Sequence, residues 1–201
     1  SVRAHFKVLR NENAEKDAPL ILYGEGFKCT RFSCNGQVRD VSEGGDQGNE
    51  LILNDIEDGS FFEVETELNP SESTDLTGLY AVGDRLFTQC EPHGFRRITY
   101  GLDRPDVLTK FTVTMKANRK RFPHLLCNGV IQQEGIEGDN HWIRWHDPMP
   151  KPTYLFAMVA GRFDVLEDEA VTPEGRHVAL YAYVEPGRKH QAAFALSAVK
   201  R

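Results

Sequence analysis

The sequence predicts an all-β fold: a two-sheet antiparallel saddle or sandwich with a short strand and a helix appended at its C-terminal end. Three observations predict it. Apolar and polar residues alternate with period two through most of the chain, the pattern of half-buried strands. Asn-Gly pairs punctuate it at Asn35-Gly36 and Asn128-Gly129, and Asn-Gly readily takes the positive φ of a type I′ hairpin. A helical pattern is confined to the last dozen residues, His190 to Arg201.

The elements follow in order. Val2, Ala4, Phe6 and Val8 alternate with Arg3, His5 and Lys7, so the chain opens inside a strand. It has no initial Met and no secretory signal, so it is expected to be a piece cut from a longer protein. Glu43 to Asn49 is Gly-rich and polar and reads as a loop before a strand at Leu51-Ile52-Leu53. Phe62, Val64, Thr66 and Leu68 alternate with Glu63, Glu65 and Glu67, which predicts a strand with a solvated acidic face rather than a cation site. Arg97 to Tyr100, Phe111 to Ala117, Trp142 to His146 and Val178 to Val184 are further strands, and Leu155 to Gly161 suits a buried one. Asp103 is expected to cap one short helical turn at Pro105. His190 to Arg201 is alanine-rich and amphipathic, and Lys200-Arg201 stands where the helix should continue. Charge rises after about residue 163, which divides the chain into 1–163 and 164–201.

With 201 residues, 40% apolar and 27% charged, the chain can bury a sizeable core. A net charge of -6 argues against non-specific nucleic-acid binding, and Arg119-Lys120-Arg121, the one tight basic cluster, reads as a solvated turn. No apolar run reaches the roughly 20 residues that span a bilayer. Cys29, Cys34, Cys90 and Cys127 lack the spacing of a zinc site and read as free, mostly buried thiols, so the chain is expected to be cytoplasmic.

Few residues carry chemistry. No His is followed by Glu, so the H-E-x-x-H metal motif is absent. His141 and His146 lie five apart in a strand-like segment and point to opposite faces, which suits surface roles rather than ligation. Cys90 and His93 allow a nucleophile pair, but Cys90 should face away from its neighbours and pack. Gln89 and Glu91 remain: an amide and a carboxylate two residues apart, on one face of an extended segment and followed by Pro92. By composition alone they are a polar edge strand ending in a turn.

The surrounding wording says more. Gly78 to Phe111 contains T-Q-C-E-x-x-G-F-R-x-I-T-Y-x-L-D-R-P-D-V-L, and His141 to Phe163 reads HWIRWHDPMPKPTYLFAMVAGRF. Both resemble the bacterial alanyl-aminopeptidase (aminopeptidase N) family of gluzincin zinc metallopeptidases, and the likeness covers most of the chain from about Leu76. The resemblance implies that residues 1–163 are the family's N-terminal β-saddle. It implies that residues 164–201 are the first strand and helix of a thermolysin-like catalytic domain. That domain's H-E-x-x-H and Gly-Ala-Met-Glu-Asn motifs, and hence the zinc ligands, lie outside this sequence.

The resemblance also assigns roles. Glu91 matches a glutamate that helps bind the free α-amine of the peptide substrate, and Gln89 a glutamine lining the first side-chain pocket. It implies a cis Glu91–Pro92 bond. The expected partners are a peptide N-terminus and the chain's own catalytic domain, in a monomeric parent, with no nucleic acid or membrane. The catalytic residues and zinc belong to the parent, and this stretch alone is expected to be inactive. The alternatives are a non-catalytic aminopeptidase-like scaffold and an independent β-sandwich binding module.

Overall fold

The structure is a computed structural model and describes residues 1–15, 18–41 and 50–200. The loop expected at 43–49 lies outside the described residues. Within them the chain forms fifteen strands and one α-helix. The strands are β1 (Val2–Lys7), β2 (Leu20–Tyr23), β3 (Lys28–Cys34), β4 (Gln37–Val38), β5 (Glu50–Leu53), β6 (Phe61–Glu67), β7 (Gly78–Val82) and β8 (Arg85–Gln89). They continue with β9 (Thr109–Asn118), β10 (His124–Cys127), β11 (Val130–Glu137), β12 (Asn140–Lys151), β13 (Met158–Gly161), β14 (Asp164–Val171) and β15 (His177–Val184), and α1 is Lys189–Val199. Every described pairing is antiparallel, in sheets ordered β1-β6-β3-β4, β10-β13-β8-β7 and β11-β12-β9, with the pairs β2-β5 and β14-β15. The mainly antiparallel β class is therefore as expected, but the strands divide among more sheets than two.

The first core lies beneath β6, where the period-two reading holds residue by residue. Phe62, Val64 and Thr66 are fully buried, and Phe62 and Val64 pack with Leu22, Phe32, Leu51 and Leu53. The glutamates between them face outward into a charged cross-strand ladder, with Glu65 2.9 Å from Arg3. Thr66 reaches the other way, donating to the carbonyl of Ile98 at 2.9 Å. That bond ties the first core to the second, which centres on Cys90, Ile98 and Phe156. There Phe156 packs against Phe95 and Phe111, with ring centroids 5.3 and 5.2 Å away.

Four local expectations are corrected. Arg97 to Tyr100 is not a strand: Phe95–Arg97 is a 3-10 turn, because the Arg97 guanidinium is drawn to Glu25 and Asp75 from distant segments. Asp103 does not cap a turn at Pro105; its carboxylate turns inward and is buried. Asn35-Gly36 does form the hairpin turn between β3 and β4, with φ of 50° and 79°. Asn128-Gly129 instead carries the chain from β10 in one sheet to β11 in another. The side chain of Asn128 is engaged elsewhere, donating to the Leu155 carbonyl and accepting from the Ala157 amide at 2.6 Å. These bonds help explain the last correction. Only Met158–Gly161 of the expected Leu155–Gly161 strand pairs, and Thr153–Leu155 is a 3-10 turn.

At the C-terminal end the strand at Val178 to Val184 and the helix are where the sequence places them, but a further strand, β14, precedes them where only one strand was expected. β14 and β15 form a hairpin, and α1 covers it with Ala192 and Leu196, four apart on one helix face. Phe163 lies at the junction and contacts both Phe87 and Tyr183.

Candidate functional site

Strand β8 runs between β7 and β13, and its end delivers the candidate residues. The ladder to β13 stops at Phe87–Val159. Thr88 then takes over from the backbone: its hydroxyl donates to the Met158 carbonyl at 3.2 Å and accepts from the Met158 amide at 2.8 Å. Gln89 is exposed and closes the pairing to β7 opposite Gly78. Cys90 turns into the second core, 2% exposed, and Glu91 is exposed again. The alternation predicted for these three residues is seen, but the strand ends at Gln89 and Glu91 begins a turn. The two residues meet through the Gln89 amide, which donates to the Glu91 carbonyl at 3.2 Å. The Glu91–Pro92 peptide is cis.

The turn closes at Gly94, whose amide donates to the Cys90 carbonyl at 2.8 Å. Only glycine fits there: a Cβ would stand 2.2 Å from the Gln89 carbonyl oxygen and 2.9 Å from Cys90 Cα. Past Gly94, two arginines anchor the chain in opposite directions. Arg97 reaches Glu25 at 2.5 Å and Asp75. Arg96 turns to Asp103, which is 1% exposed. Its amide and Nε donate to Asp103 Oδ2 at 3.2 and 2.9 Å, and its terminal nitrogen donates to the Asp103 carbonyl at 3.0 Å. The guanidinium also lies over the ring of Tyr23, 4.4 Å from its centroid. Thr153 completes the set, donating its hydroxyl to Asp103 Oδ1 at 2.6 Å.

Electrostatics excludes one alternative. Burial, with a smaller contribution from the nearby Asp103 charge, pushes the Cys90 thiol up to about 12. A buried neutral thiol is a poor nucleophile, so Cys90 is a packing residue. His93 is exposed. His141 holds the Phe122 carbonyl at 2.7 Å and His146 the Thr112 hydroxyl at 3.0 Å, roles in packing and turn structure. Among the described residues no three His, Cys, Asp or Glu side chains gather closely enough to hold a metal ion. A donor set for zinc is therefore not found among the described residues. No described helix is long and apolar enough to cross a membrane. A cavity of about 320 Å³ opens elsewhere, lined by Asp84, Arg85, Arg162, Glu185, Pro186 and Arg188.

Spacing placed Gln89 and Glu91 on one face, and the family resemblance singled them out as candidate site residues. Neither revealed Thr88, Gly94, Arg96, Asp103 and Thr153 as their frame. The charge of Arg96 and Asp103 was no signal, because Arg97, Arg104 and Asp106 stand beside them in the same stretch.

Residues 49–155, the segment that holds this frame, match the family model for the peptidase M1 N-terminal domain. The chain belongs to the peptidase M1 family. Its M1 relatives include aminopeptidase N of Caulobacter vibrioides, 44% identical over 187 residues covering 92% of this chain and 22% of the relative. Aminopeptidase N of Escherichia coli is 43% identical over 92% of this chain and 21% of its own length. The chain thus spans about a fifth of the length of these M1 relatives. Among solved structures, aminopeptidase A of Legionella pneumophila, in complex with aspartic acid, superposes with a TM-score of 0.91 at 31% identity. That match covers 98% of this chain and 24% of the other. An M1 zinc metallopeptidase from Deinococcus radiodurans shares the fold, with a TM-score of 0.68 at 17% identity over 85% of this chain and 41% of its own. The M1 N-terminal domain fold expected from the sequence is therefore present.

Proposed function

We propose that this chain serves a zinc-dependent aminopeptidase as its N-terminal domain, recognising the free end of a peptide while residues elsewhere hold the zinc and cleave. In this reading residues 1–163 are the β-saddle, and 164–201 open the catalytic domain. Glu91 binds the substrate α-amine, and Gln89 forms part of the wall beside the first side chain.

The observation that carries the reading is the pairing of exposure with fixity. Glu91 and Gln89 present a carboxylate and an amide to solvent from a turn whose backbone is fixed behind them. An exopeptidase must count one residue from a cationic end, and a carboxylate does so by charge-assisted hydrogen bonds. Each contributes about 1.5–3 kcal/mol net, and a displaced amine displaces the scissile carbonyl from the reacting centre. Gln89 offers a donor and an acceptor without charge, which suits the border of an apolar pocket.

The test is Glu91→Gln in the full-length enzyme. Loss of one charge-assisted bond should lower kcat/KM about 10- to 100-fold with zinc content unchanged. Full activity of that variant would remove the amine-anchor role.

A further inference from the structure

We propose that Asp103 is a positioning residue for Glu91, fixing the amine-binding carboxylate through Arg96 and Thr153; the proposal rests on the amine-anchor reading above. The segment 153–158 grips both sides of the Glu91 turn. On the entering side Met158 holds Thr88 through both its amide and its carbonyl. On the leaving side Thr153 holds Asp103, and Asp103 holds the amide and side chain of Arg96. Arg96 lies in the 3-10 turn that follows Gly94, and Gly94 closes back on Cys90, the neighbour of Glu91. Thr88, Glu91, Arg96, Asp103, Thr153 and Met158 thus lie on one closed circuit of chain and hydrogen bonds.

Asp103 is the element of this circuit that neutral packing does not require. A carboxylate 1% exposed is costly unless charge-paired and hydrogen-bonded. Here both oxygens are used: Oδ1 by Thr153, Oδ2 by the Arg96 amide and Nε. Removing one partner of such a set leaves an uncompensated buried charge, so the geometry is specified narrowly. Arg96 is fixed from a third side by the Tyr23 ring, whose strand also pairs with Gly101. Glu91 needs such a support because its own side chain is exposed and its turn lies outside the sheet ladders.

The test uses a double-mutant cycle in the full-length enzyme. Asp103→Asn keeps the shape and removes the charge; Thr153→Val removes the donor and perturbs folding less. Each should lower kcat/KM at least about 10-fold, mainly through KM, since a small misplacement costs up to about 100-fold. Asp103→Asn combined with Glu91→Gln should be no worse than Glu91→Gln alone by more than about 2-fold, because residues acting as a unit are non-additive. A purely structural Asp103 would instead lower Tm and leave kcat/KM per folded enzyme unchanged; that result, or an Asp103→Asn loss that multiplies with the Glu91→Gln loss, overturns the proposal. If Glu91→Gln lowers activity and neither frame variant does, this inference alone fails. If Glu91→Gln is itself neutral, the amine-anchor reading fails and takes this inference with it.

Discussion

Residues 75–103 and residues 164–200 are each built on one antiparallel strand pair, and they are held in opposite ways. The first region is fixed by polar contacts of defined direction: Asp103 on Arg96, Glu25 and Asp75 on Arg97, and the Gly94 amide on Cys90. The second is held by an apolar contact, Ala192 and Leu196 against the hairpin, with ion pairs at the surface such as Lys200 with Asp168 at 2.8 Å. Phe194 and Val199 remain 82% and 68% exposed there. Apolar burial is non-directional, so it can join two units without fixing one atom within an ångström of another. Buried hydrogen-bonded charge does fix atoms, and it occurs where the candidate recognition residues are carried.

The contrast is tested most directly at two phenylalanines, Phe156 buried against the first region and Phe194 exposed in the second. Phe156→Ala removes the ring that joins Phe95 and Phe111 beneath the Glu91 turn, and urea unfolding should record a loss of about 3–5 kcal/mol. Gly94→Ala should cost about 1–3 kcal/mol, because its methyl meets the Gln89 carbonyl and the turn must open. A pH series separates the regions further, since all four cysteines precede residue 164. The Cys90 thiol is raised from near 9 to about 12 in the folded chain, by burial first and Asp103 second. Unfolding therefore lets it ionise earlier, so this stability is complete below pH 9 and is lost as pH rises toward 12. The urea midpoint should fall between pH 8 and pH 10.5 by more in the native chain than in Cys90→Ala, whatever the pH of measurement does to other groups. The smallest effect belongs to the second region: Phe194→Ser should move stability by less than about 0.5 kcal/mol in this chain. A large loss from Phe194→Ser beside a small one from Phe156→Ala would reverse the comparison.

Much of the fold was legible because strands declare themselves locally. β6, β9, β12, β15 and α1 follow from the repeat of apolar residues, and Asn35-Gly36 from the needs of a tight hairpin. What was hidden depends on partners far away in sequence. Arg97 to Tyr100 reads as a strand until Glu25 and Asp75 take the arginine, and Asp103 reads as a helix cap until Arg96 and Thr153 claim it. Asn128-Gly129 reads as a hairpin until the Asn128 side chain is found on Leu155 and Ala157. The candidate site was visible in the same partial way. Gln89 and Glu91 were singled out by the family resemblance; the frame behind them was not, because it is assembled from stretches of chain far apart, at 88–96, 103 and 153.

The hydroxyl of Thr88 has a consequence for how this surface can vary. By donating to Met158 and accepting from it, Thr88 stands in for a peptide group at the point where the ladder between β8 and β13 ends. A library randomised over positions 88 to 94 and selected only for folded protein should therefore recover Ser or Thr at 88 and Gly at 94, with nearly any polar residue at 89 and 91. Selection for peptide turnover should then narrow 89 and 91 alone. The turn thus separates, within seven residues, the letters that folding demands from those the proposed recognition role would use.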